Sequence, residues 1–395
     1  NVEIYVNGTM EKLTELDGEY SFKSPKGSDF TVAPYSNSEP LNGVSTADIV
    51  AIQRHLLGME ELTNGYQIVA ADVNNNENVS AADISSLRQV LLGRHADFSK
   101  WNNQTSWRFV DRAENLTDNL NPWPFTEELS YQDVVNNMFD IDFDAVKIGD
   151  VNGDATNNGL TGNATRGNGN VTMVAEEAAL STGGTYTMEV TSDDFAGISG
   201  YQFTMKYDAS ALAFTGVESG SLTVSGANVG TAAISEGLIT MSWNNAAGTA
   251  VNVDAGEVLF TVTFDVLSNT KASEAIAMNS MITKAEAYDA DVDVMGLSLE
   301  FRNGTSVVEV FELHQNVPNP FKGSTVIGYT LPSEMPAVLT VYDVSGKVLL
   351  VKDLDGNKGY NEEKISRAEL NGAGVLYYQL DAADYTATKR MVLID

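Results

Sequence analysis

The 395-residue chain lacks cysteine altogether and contains only three histidines. Without thiols it forms no disulfide bond and has neither a thiolate metal site nor a cysteine nucleophile. The few histidines, and the absence of a Gly-x-Ser-x-Gly motif, argue against a Ser–His–Asp hydrolase. Since no other acid–base or nucleophile constellation stands out, the sequence predicts a protein that is not an enzyme.

Basic residues are also scarce. The chain has 23 Lys and Arg against 54 Asp and Glu, which gives a net charge of −31. This balance disfavours nucleic acid, whose binding needs clustered basic residues, and it disfavours anionic lipid surfaces. Solubility in a salty medium explains the acidic surplus equally well, but carboxylates are also the ligands that calcium prefers.

Long apolar runs are missing as well. No stretch reaches the roughly 18 residues of a membrane-spanning helix, so no transmembrane segment is expected. The chain starts at Asn1 rather than Met and has no visible signal peptide, which suggests a processed piece of a longer protein.

The residue pattern predicts a multidomain, mainly β protein with one small helical part. At about 100–200 residues per domain, a chain of this length holds two to four domains. Short alternating runs separated by turn residues predict strands in most of the chain. The expected units are 1–36, the last strands of a truncated β-sandwich; 37–156, a helical module with an aromatic insertion at 94–146; 157–170, an Asn- and Gly-rich linker; 171–302, a β-sandwich; and 307–395, a second and smaller β-sandwich.

An internal repeat defines the helical module. Residues 43–58 recur as residues 78–93, with eight of sixteen aligned residues identical. In each copy the apolar residues fall at i, i+3, i+7 and i+8, which predicts a helix with one apolar face. Ser45 and Ser80 are the expected N-caps, and a glycine is expected to end each helix.

The most specific motif precedes the second helix. Oxygen-bearing side chains stand at positions 1, 3, 5, 9 and 12 of a twelve-residue loop, and a backbone carbonyl stands at position 7. This is the spacing of an EF-hand calcium loop, although Glu77 occupies position 6, where glycine is usual. The alternative is an Asn-rich turn that only caps the helix. The expected calcium ligands are Asp72, Asn74, Asn76, the Asn78 carbonyl, Ser80 and Asp83.

A second calcium site is expected from two incomplete loops. Asp48 stands at position 12 of the first repeat, but the residues upstream of it are poor ligands. Asp150, Asn152 and Asp154 supply a good first half without an acidic position 12. Because the two defects are complementary, we predict that these residues meet in space as one split site. The alternative is a degenerate first loop and an unrelated Asp/Asn turn.

The paired loops and helices resemble the dockerin module over about residues 37–154, apart from the aromatic insertion. The motifs that carry the resemblance are Asp-x-Asn-x-Asn…Asp, Gly-Asp-Val-Asn-Gly-Asp and the helix ending Leu-Leu-Gly. Dockerins are calcium-stabilised partners of cohesin domains, so the resemblance implies calcium as cofactor and a cohesin as partner. It also implies that loop positions 10 and 11 read the partner. These residues are Thr46, Ala47, Ala81 and Ala82, whose small side chains suggest a mainly apolar contact.

Residues 171–302 resemble a cohesin domain. Residues 200–208 are similar to the cohesin strand Gly-Phe-Gln-Phe-x-x-x-Tyr-Asp, and two later strand patterns, at 237–243 and 256–264, agree. The resemblance implies a β-sandwich whose partner is a dockerin. A generic carbohydrate-binding sandwich is the competing interpretation.

The last unit resembles the C-terminal sorting domain of the type IX secretion system of Bacteroidetes. The order and spacing of Pro-Asn-Pro-Phe, Tyr-Asp-Val-Ser-Gly-Lys and Lys-Arg-Met-Val-Leu carry this resemblance. It implies export by the type IX machinery and a location outside the cell or on the outer cell surface. The residues expected to carry the signal are Pro318, Asn319, Pro320, Phe321, Gly346, Lys389 and Met391.

Together these features predict the non-enzymatic, calcium-stabilised C-terminal region of a secreted modular protein. Its dockerin-like and cohesin-like parts are expected to pair within the chain, between copies as a head-to-tail filament, or with another protein. The alternative is a carbohydrate-binding or adhesive appendage of an exported enzyme whose catalytic domain lies upstream. In that case Trp101, Trp107 and Trp123 could stack on sugars, although such residues more often cover a core.

Overall fold

The computed structural model describes residues 2–15, 17–156, 169–302, 311–331, 334–357, 359–370, 374–383 and 385–394. These residues form four units, of which three consist mainly of β-strands. Of the linker expected at 157–170, residues 157–168 lie outside the described residues. Within the described part of the chain, no helix has the length and apolar character needed to cross a membrane.

The first unit is a four-stranded antiparallel sheet, and its strands are, in spatial order, β2 (Thr9–Leu13), β1 (Glu3–Val6), β3 (Ser28–Tyr35) and β5 (Leu129–Val134). Its buried centre consists of Ile4, Phe30 and Val32. Strand β5 comes from the insertion that the sequence assigns to the helical module, so the expected boundary at residue 36 is wrong for this sheet. Five or six alternating residues predict a strand but do not indicate which sheet it joins.

The second unit contains the two sequence repeats as helices α1 (Thr46–Leu56) and α3 (Ala81–Leu91), with α2 (Gly65–Ala71) between them. A two-stranded sheet of β4 (Trp107–Asp111) and β6 (Phe143–Lys147) completes it. The apolar faces of α1 and α3 pack together around a shared core. Trp101 and Trp123 are partly buried against that core, so they cover it rather than form a free platform.

Both repeat helices begin and end as the sequence predicts. Ser45 and Ser80 accept hydrogen bonds from the backbone N–H two residues on, at 3.1 and 3.2 Å, and each takes part in a capping box. Gly58 and Gly93 follow the helices with φ of 66° and 65°, the left-handed conformation that ends a helix at low cost for glycine.

The third unit is a β-sandwich. Nine of its strands form a continuous series in which each strand is hydrogen-bonded to the next. Strand β16 also pairs with β10, and β8 and β15 form a separate two-stranded sheet. The β7–β18 pair is parallel, and the remaining pairs are antiparallel. The spatial order is β11 (Leu212–Ser219), β14 (Val258–Val266), β9 (Thr185–Ser192), β7 (Asn170–Glu176), β18 (Val294–Arg302), β17 (Glu286–Tyr288), β10 (Gly200–Tyr207), β13 (Leu238–Asn244) and β12 (Val229–Gly230), with β16 (Ile276–Asn279), β8 (Ala179–Leu180), β15 (Thr270–Lys271) and helix α4 (Ala272–Ala275) besides.

Aromatic side chains fill the centre of this sandwich. The Tyr201 ring stacks on Trp243 at 5.3 Å, on Phe203 at 6.0 Å and on Phe260 at 6.1 Å between ring centroids. All four are buried. Burying such side chains stabilises the fold by about 1.5–3 kcal/mol each, so this cluster fixes how the sheet faces pack.

The fourth unit is a smaller β-sandwich with its own core, which includes Phe321, Leu339, Tyr378 and Met391. One sheet has the order β19-β20-β23 and the other the order β22-β21-β24-β25. The strands are β19 (Glu312–Leu313), β20 (Ser324–Leu331), β21 (Met335–Asp343), β22 (Val348–Gly356), β23 (Gly359–Ser366), β24 (Gly374–Ala382) and β25 (Tyr385–Leu393).

Candidate docking face and cation-binding loops

The sheet face formed by β10 and β13 is covered by the helical unit. Sandwich strands with one solvated face alternate between buried and more exposed residues, as β9 does. Strand β13 is instead buried at every residue, and β10 at every residue except Lys206. Helix α1 packs against both strands. The outer face of this part of the sandwich is therefore an interface within the chain.

Thr46, the first residue of α1, makes the central polar contact. Its backbone N–H donates to Gln202 Oε1 at 2.8 Å, and its hydroxyl donates to the same oxygen at 2.9 Å. The Thr46 hydroxyl also lies 2.8 Å from Ser242 Oγ. All three residues are buried. Because the first N–H groups of a helix have no partner inside the helix, Gln202 acts as a cap supplied by a different unit.

The sandwich also satisfies the C-terminal end of α3. The Thr283 hydroxyl donates to the Leu91 carbonyl at 2.6 Å, and the Thr240 hydroxyl donates to the Leu92 carbonyl at 2.9 Å. A side chain at Gly230 would collide with the Leu92 carbonyl, so this close approach requires glycine. The unpaired ends of two helices are thus both satisfied across the same interface.

Three arginines of the helical unit surround these contacts. Arg54 donates from Nε and Nη2 to two backbone carbonyls of the sandwich, at 3.0 and 2.6 Å. Arg94 donates to the Val229 carbonyl at 2.6 Å, and Arg88 donates to Asn244 Oδ1. Burial, with a smaller effect of the Arg94 charge, lowers the pKa of Arg88 to about 10. These contacts are made to uncharged oxygens, so they depend on geometry rather than on opposite charge.

The four residues predicted to read a partner fall into two pairs. Thr46 and Ala47 are buried, with Thr46 against the sandwich, whereas Ala81 and Ala82 are exposed. The predicted mainly apolar contact is wrong at Thr46, because its side chain and backbone both form hydrogen bonds there.

The sandwich residues of the interface were not identified from the sequence. Gln202, Thr240 and Ser242 alternate with apolar residues, and that pattern is typical of a solvated face. One signal was available, since most polar residues at these outward positions carry no charge in a chain that is otherwise strongly acidic. Uncharged polar residues can be buried at low cost once they are hydrogen-bonded.

In the loop at 72–83 two carboxylates organise the backbone. Asp72, at loop position 1, accepts hydrogen bonds from the N–H groups at positions 5 and 6, at 3.0 and 2.9 Å. Asp83, at position 12, accepts from the N–H groups at positions 3 and 9, at 3.1 and 2.9 Å. The Ser80 hydroxyl donates to Asp83 at 3.1 Å, and Asn76 Oδ1 accepts from the Asn78 N–H at 3.1 Å.

Residues 45–48 and 150–155, which are far apart in the chain, together form the same pattern of backbone hydrogen bonds to two carboxylates. Asp150 accepts from the N–H groups at the equivalents of positions 5 and 6, which belong to Asp154 and Ala155, at 3.2 and 2.9 Å. Asp48 accepts from the equivalents of positions 3 and 9, Asn152 and Ser45, at 3.4 and 2.8 Å. The structure thus brings Asp48 against the 150–154 segment with the hydrogen-bond pattern of the continuous loop.

Burial is the main cause that raises the pKa of five carboxyl groups in these loops. They are Asp48, Asp72, Asp83, Asp150 and Asp154, and the pKa of Asp154 rises to about 6. The neighbouring charges of Asp150 and Asp154 further raise the pKa of the fully buried Asp48. Like charges held this close repel one another, and a bound cation removes the repulsion.

The donor chemistry of both loops fits calcium, because every side-chain ligand they offer is an oxygen. Within the described residues, however, no three His, Cys, Asp or Glu side chains are grouped so that they could hold a metal ion. Any such ion would therefore depend on the amide oxygens of Asn74, Asn76 and Asn152 and on backbone carbonyls. Calcium ligation by these loops stays a prediction.

The residues predicted to carry the sorting signal lie in the fourth unit. Phe321 and Met391 are buried in its core. The Phe321 N–H donates to the Val392 carbonyl at 3.0 Å, and Asn319 Oδ1 accepts from the Val392 N–H at 2.9 Å. The Pro318 carbonyl accepts from the Thr325 hydroxyl at 2.9 Å.

The other three residues of this set have different positions. Pro320 and Gly346 are exposed, and Gly346 lies in the turn between β21 and β22 with φ of 83°. Lys389 is partly exposed on β25. The segment around Pro318 and Phe321 is thus held against strand β25 by hydrogen bonds.

The fold is that of a modular protein built mainly of β-sandwiches. Residues 171–297 match the family model of the Cohesin domain, and residues 317–394 match that of the Secretion system C-terminal sorting domain. Both are non-catalytic modules. With its sorting domain, the protein is secreted and attached to the cell surface. No curated protein matched the chain.

Solved structures similar to the chain include several cohesins. The sixth cohesin of Acetivibrio cellulolyticus scaffoldin B, solved with a Cel5 dockerin, is 16% identical, covers 33% of this chain and 94% of its own, and has a TM-score of 0.28. A type II cohesin from Bacteroides cellulosolvens is 19% identical over 33% of this chain and 95% of its own, with a TM-score of 0.26. A type I cohesin–dockerin complex from Clostridium thermocellum gives 15% identity, 34% and 90% coverage and a TM-score of 0.28.

Proposed function

We propose that this chain is a non-enzymatic region of a surface-attached protein in which a dockerin-like helical unit docks onto the cohesin-type sandwich of the same chain. The observation that carries the proposal is the capping of helices α1 and α3 by Gln202, Thr240 and Thr283 across the interface. The docked pair would act as a rigid, cation-stabilised stalk at the cell surface.

The chain connection favours docking within one copy over docking between copies. Twelve residues separate Thr156 from Gly169, and an extended segment of that length spans about 40 Å at most. A short linker gives the tethered partner an effective concentration in the millimolar range. Asp154, next to this connection, interacts electrostatically with Lys284 and Glu286 of the sandwich. At the other end, the Gly169 carbonyl accepts a hydrogen bond from the N–H of Gly296, the residue that pairs with Glu286 in the sheet, so both ends of the connection lie near the same part of the sandwich.

A cation would support this arrangement through the split loop. Asp48 lies in α1 two residues after Thr46, and Asp150 lies seven residues before residue 157, where the connecting segment begins. A calcium ion bound by carboxylates of this group together with the Asn152 amide oxygen and backbone carbonyls would offset the repulsion among Asp48, Asp150 and Asp154 and fix the start of α1 to the end of the helical unit. Solved cohesins such as that of Clostridium thermocellum are seen with separate dockerins. In this chain the proposed dockerin-like partner is built in.

A pair of matched substitutions tests the proposal. Thr46 and Ala81 occupy the same position in the two repeats, but Thr46 is buried at the interface and Ala81 is exposed. We expect Thr46→Arg to enlarge the radius of gyration in small-angle X-ray scattering, because an arginine cannot fit against Gln202. We expect Ala81→Arg to leave the radius unchanged. A calcium titration by calorimetry on the same samples tests the cation sites separately.

The oligomeric state distinguishes docking within the chain from a head-to-tail filament. Intrachain docking predicts a monomer mass that does not change with protein concentration in calcium. A mass that grows with concentration in the unmodified chain and returns to the monomer in Thr46→Arg would mean that the same face pairs between copies, and it would overturn the intrachain proposal.

A further inference from the structure

A polar cleft runs between the first unit and the helical unit. It has a volume of about 350 Å³, and its lining includes Tyr35, Trp107, Arg108, Glu127 and Glu128. A second cleft, of about 540 Å³, is lined in part by Tyr66, Asp144 and, again, Trp107. Trp107 lines both, so the two clefts adjoin at this residue, and together they are called the groove below. The larger cleft includes Asp150 and Asn152 of the split loop in its lining, whereas the smaller cleft contains none of the residues that the split loop or the docking onto the sandwich uses.

Two aromatic side chains are held at fixed positions in the smaller cleft. A backbone bridge joins Ser36 to Trp107, which places Tyr35 beside this strand. The Trp107 indole N–H donates to the Ser38 carbonyl at 3.3 Å, and the edge of Tyr5 packs against Tyr35 with 6.1 Å between ring centroids. Tyr35 is nevertheless 43% exposed. A large exposed ring that is held in place by its neighbours is a ready surface for stacking.

The charges around the groove largely cancel one another. Arg108 forms two hydrogen bonds of 2.5 Å to the carboxylate of Glu127 and one of 2.6 Å to Asn75 Oδ1. In the second half, Asp144 pairs with Arg112 at 3.0 Å and accepts from the Tyr66 hydroxyl at 2.8 Å. No positive charge is left over in the smaller cleft to attract an anion, and no strong acidic excess is left to capture a polycation.

We propose that the smaller cleft binds a neutral oligosaccharide, with a sugar ring stacked on the exposed Tyr35 ring beside the Trp107 wall of the cleft. The C–H faces of a sugar are apolar and pack on aromatic rings, whereas its hydroxyls need planar groups that both donate and accept. The amide, guanidinium and carboxylate groups of Asn103, Arg108 and Glu128 supply these at the rim. Sites for small polar ligands typically combine such aromatic walls with a few convergent polar groups.

The test uses the full chain and four neutral oligosaccharides as probes: the hexaoses of cellulose, xylan, mannan and laminarin. Binding is followed by isothermal calorimetry and by the tryptophan fluorescence of the chain. We expect at least one probe to bind, and we expect Tyr35→Ala to weaken that binding roughly tenfold or more, which is about 1.4 kcal/mol. Tyr35→Phe keeps the ring and should bind nearly as well as the unmodified chain.

Tyr385→Ala is the matched control, since Tyr385 is equally exposed at 43% but lies on the fourth unit. It should leave binding unchanged. The proposal is overturned if none of the four probes binds at millimolar concentration, or if Tyr35→Ala and Tyr385→Ala bind equally well. It is also overturned if an oligogalacturonide or a lysine-rich peptide binds in preference, because the ligand would then be recognised by charge. A thermal melt checks that each variant is folded.

Discussion

The backbone N–H of Thr46 and the side-chain oxygen of Gln202 lie 2.8 Å apart although 156 residues separate them in the chain. Through this contact, a side chain of the sandwich caps the first turn of helix α1 in the helical unit. Helix ends that are buried need such partners, because each unpaired N–H or carbonyl costs free energy once water is excluded. The helical unit and the sandwich therefore stabilise each other through groups that neither could satisfy alone.

Removing the Gln202 oxygen should loosen this contact. Gln202→Leu preserves the size of the side chain but leaves the Thr46 N–H without a partner, at a cost of about 1–3 kcal/mol. Hydrogen exchange followed by mass spectrometry should then detect faster exchange in the first turn of α1, by roughly tenfold or more. Thr261→Val is the control, since the Thr261 hydroxyl is buried without a hydrogen-bond partner and its loss should leave exchange in α1 unchanged. Equal exchange in Gln202→Leu and the unmodified chain would contradict the account.

The split cation site predicts that two distant aspartates act on one ion. Asp48→Asn and Asp150→Asn should each weaken the same calcium site by roughly tenfold or more, because a charged ligand is lost. The double variant should lose that one site and keep the other. Asp72→Asn should weaken the continuous loop at 72–83 instead. Calorimetric titration checks the number of sites, and a split site is excluded if only one of the Asp48 and Asp150 variants changes the stoichiometry.

Protonation of the loop carboxyl groups predicts a pH dependence in the absence of divalent cations. Asp48, Asp72, Asp83, Asp150 and Asp154 have a higher pKa in the folded chain than in the unfolded one. The folded state then binds more protons, so this stabilisation is present at low pH and is lost as the pH rises through the folded pKa, which is about 6 for Asp154. With a chelator, the thermal midpoint of the helical unit should be higher at about pH 5 than at about pH 7.5.

Calcium provides the comparison for this pH series. A bound cation favours the ionised carboxylates, so saturating calcium should remove or reverse the slope between the two pH values. Midpoints that rise with pH in the chelator, to the same extent as in calcium, would contradict the assignment of these groups as crowded carboxyls.

The buried position of Phe321 leads us to expect that the stability of the fourth unit and the attachment of the protein to the cell surface are linked. Phe321→Ala removes a buried ring from the fourth unit, which typically costs about 3–5 kcal/mol. We expect the fourth unit to melt at a lower temperature and the fraction of the protein on the cell surface to fall. Val344→Ala alters a side chain that is 72% exposed and should change neither quantity. Surface fractionation of cells that express each variant checks this.

Local patterns were enough to predict most individual elements. The strand patterns at 200–208 and 256–264 coincide with the strands Gly200–Tyr207 and Val258–Val266, and Ser45 and Ser80 cap the repeat helices as expected. Periodicity and capping act over a few residues, so a single sequence carries their signal directly. The approach of Asp48 to the segment at 150–154 was also predictable, because each half of the loop lacked what the other supplied.

The interface between units was not predictable in the same way. Gln202 and Ser242 lie on strands whose alternation is equally consistent with a solvated face, and β5 joins the first sheet from more than 90 residues away. Both features depend on contacts between distant parts of the chain, and the local residue pattern contains no information about such contacts. The expected apolar contact at Thr46 was wrong for the same reason, since its partner oxygen belongs to another unit.

A distance measurement between the helical unit and the sandwich tests the central claim most directly. Because the chain has no cysteine, Ser85→Cys and Ala232→Cys create two unique and exposed labelling sites, one on each unit. Spin labels at these sites should give one narrow distance distribution in double electron–electron resonance, unaffected by dilution with unlabelled chain and broadened by Thr46→Arg. A broad distribution in the otherwise unmodified chain, or a narrow one that disappears on dilution, would contradict docking within the chain.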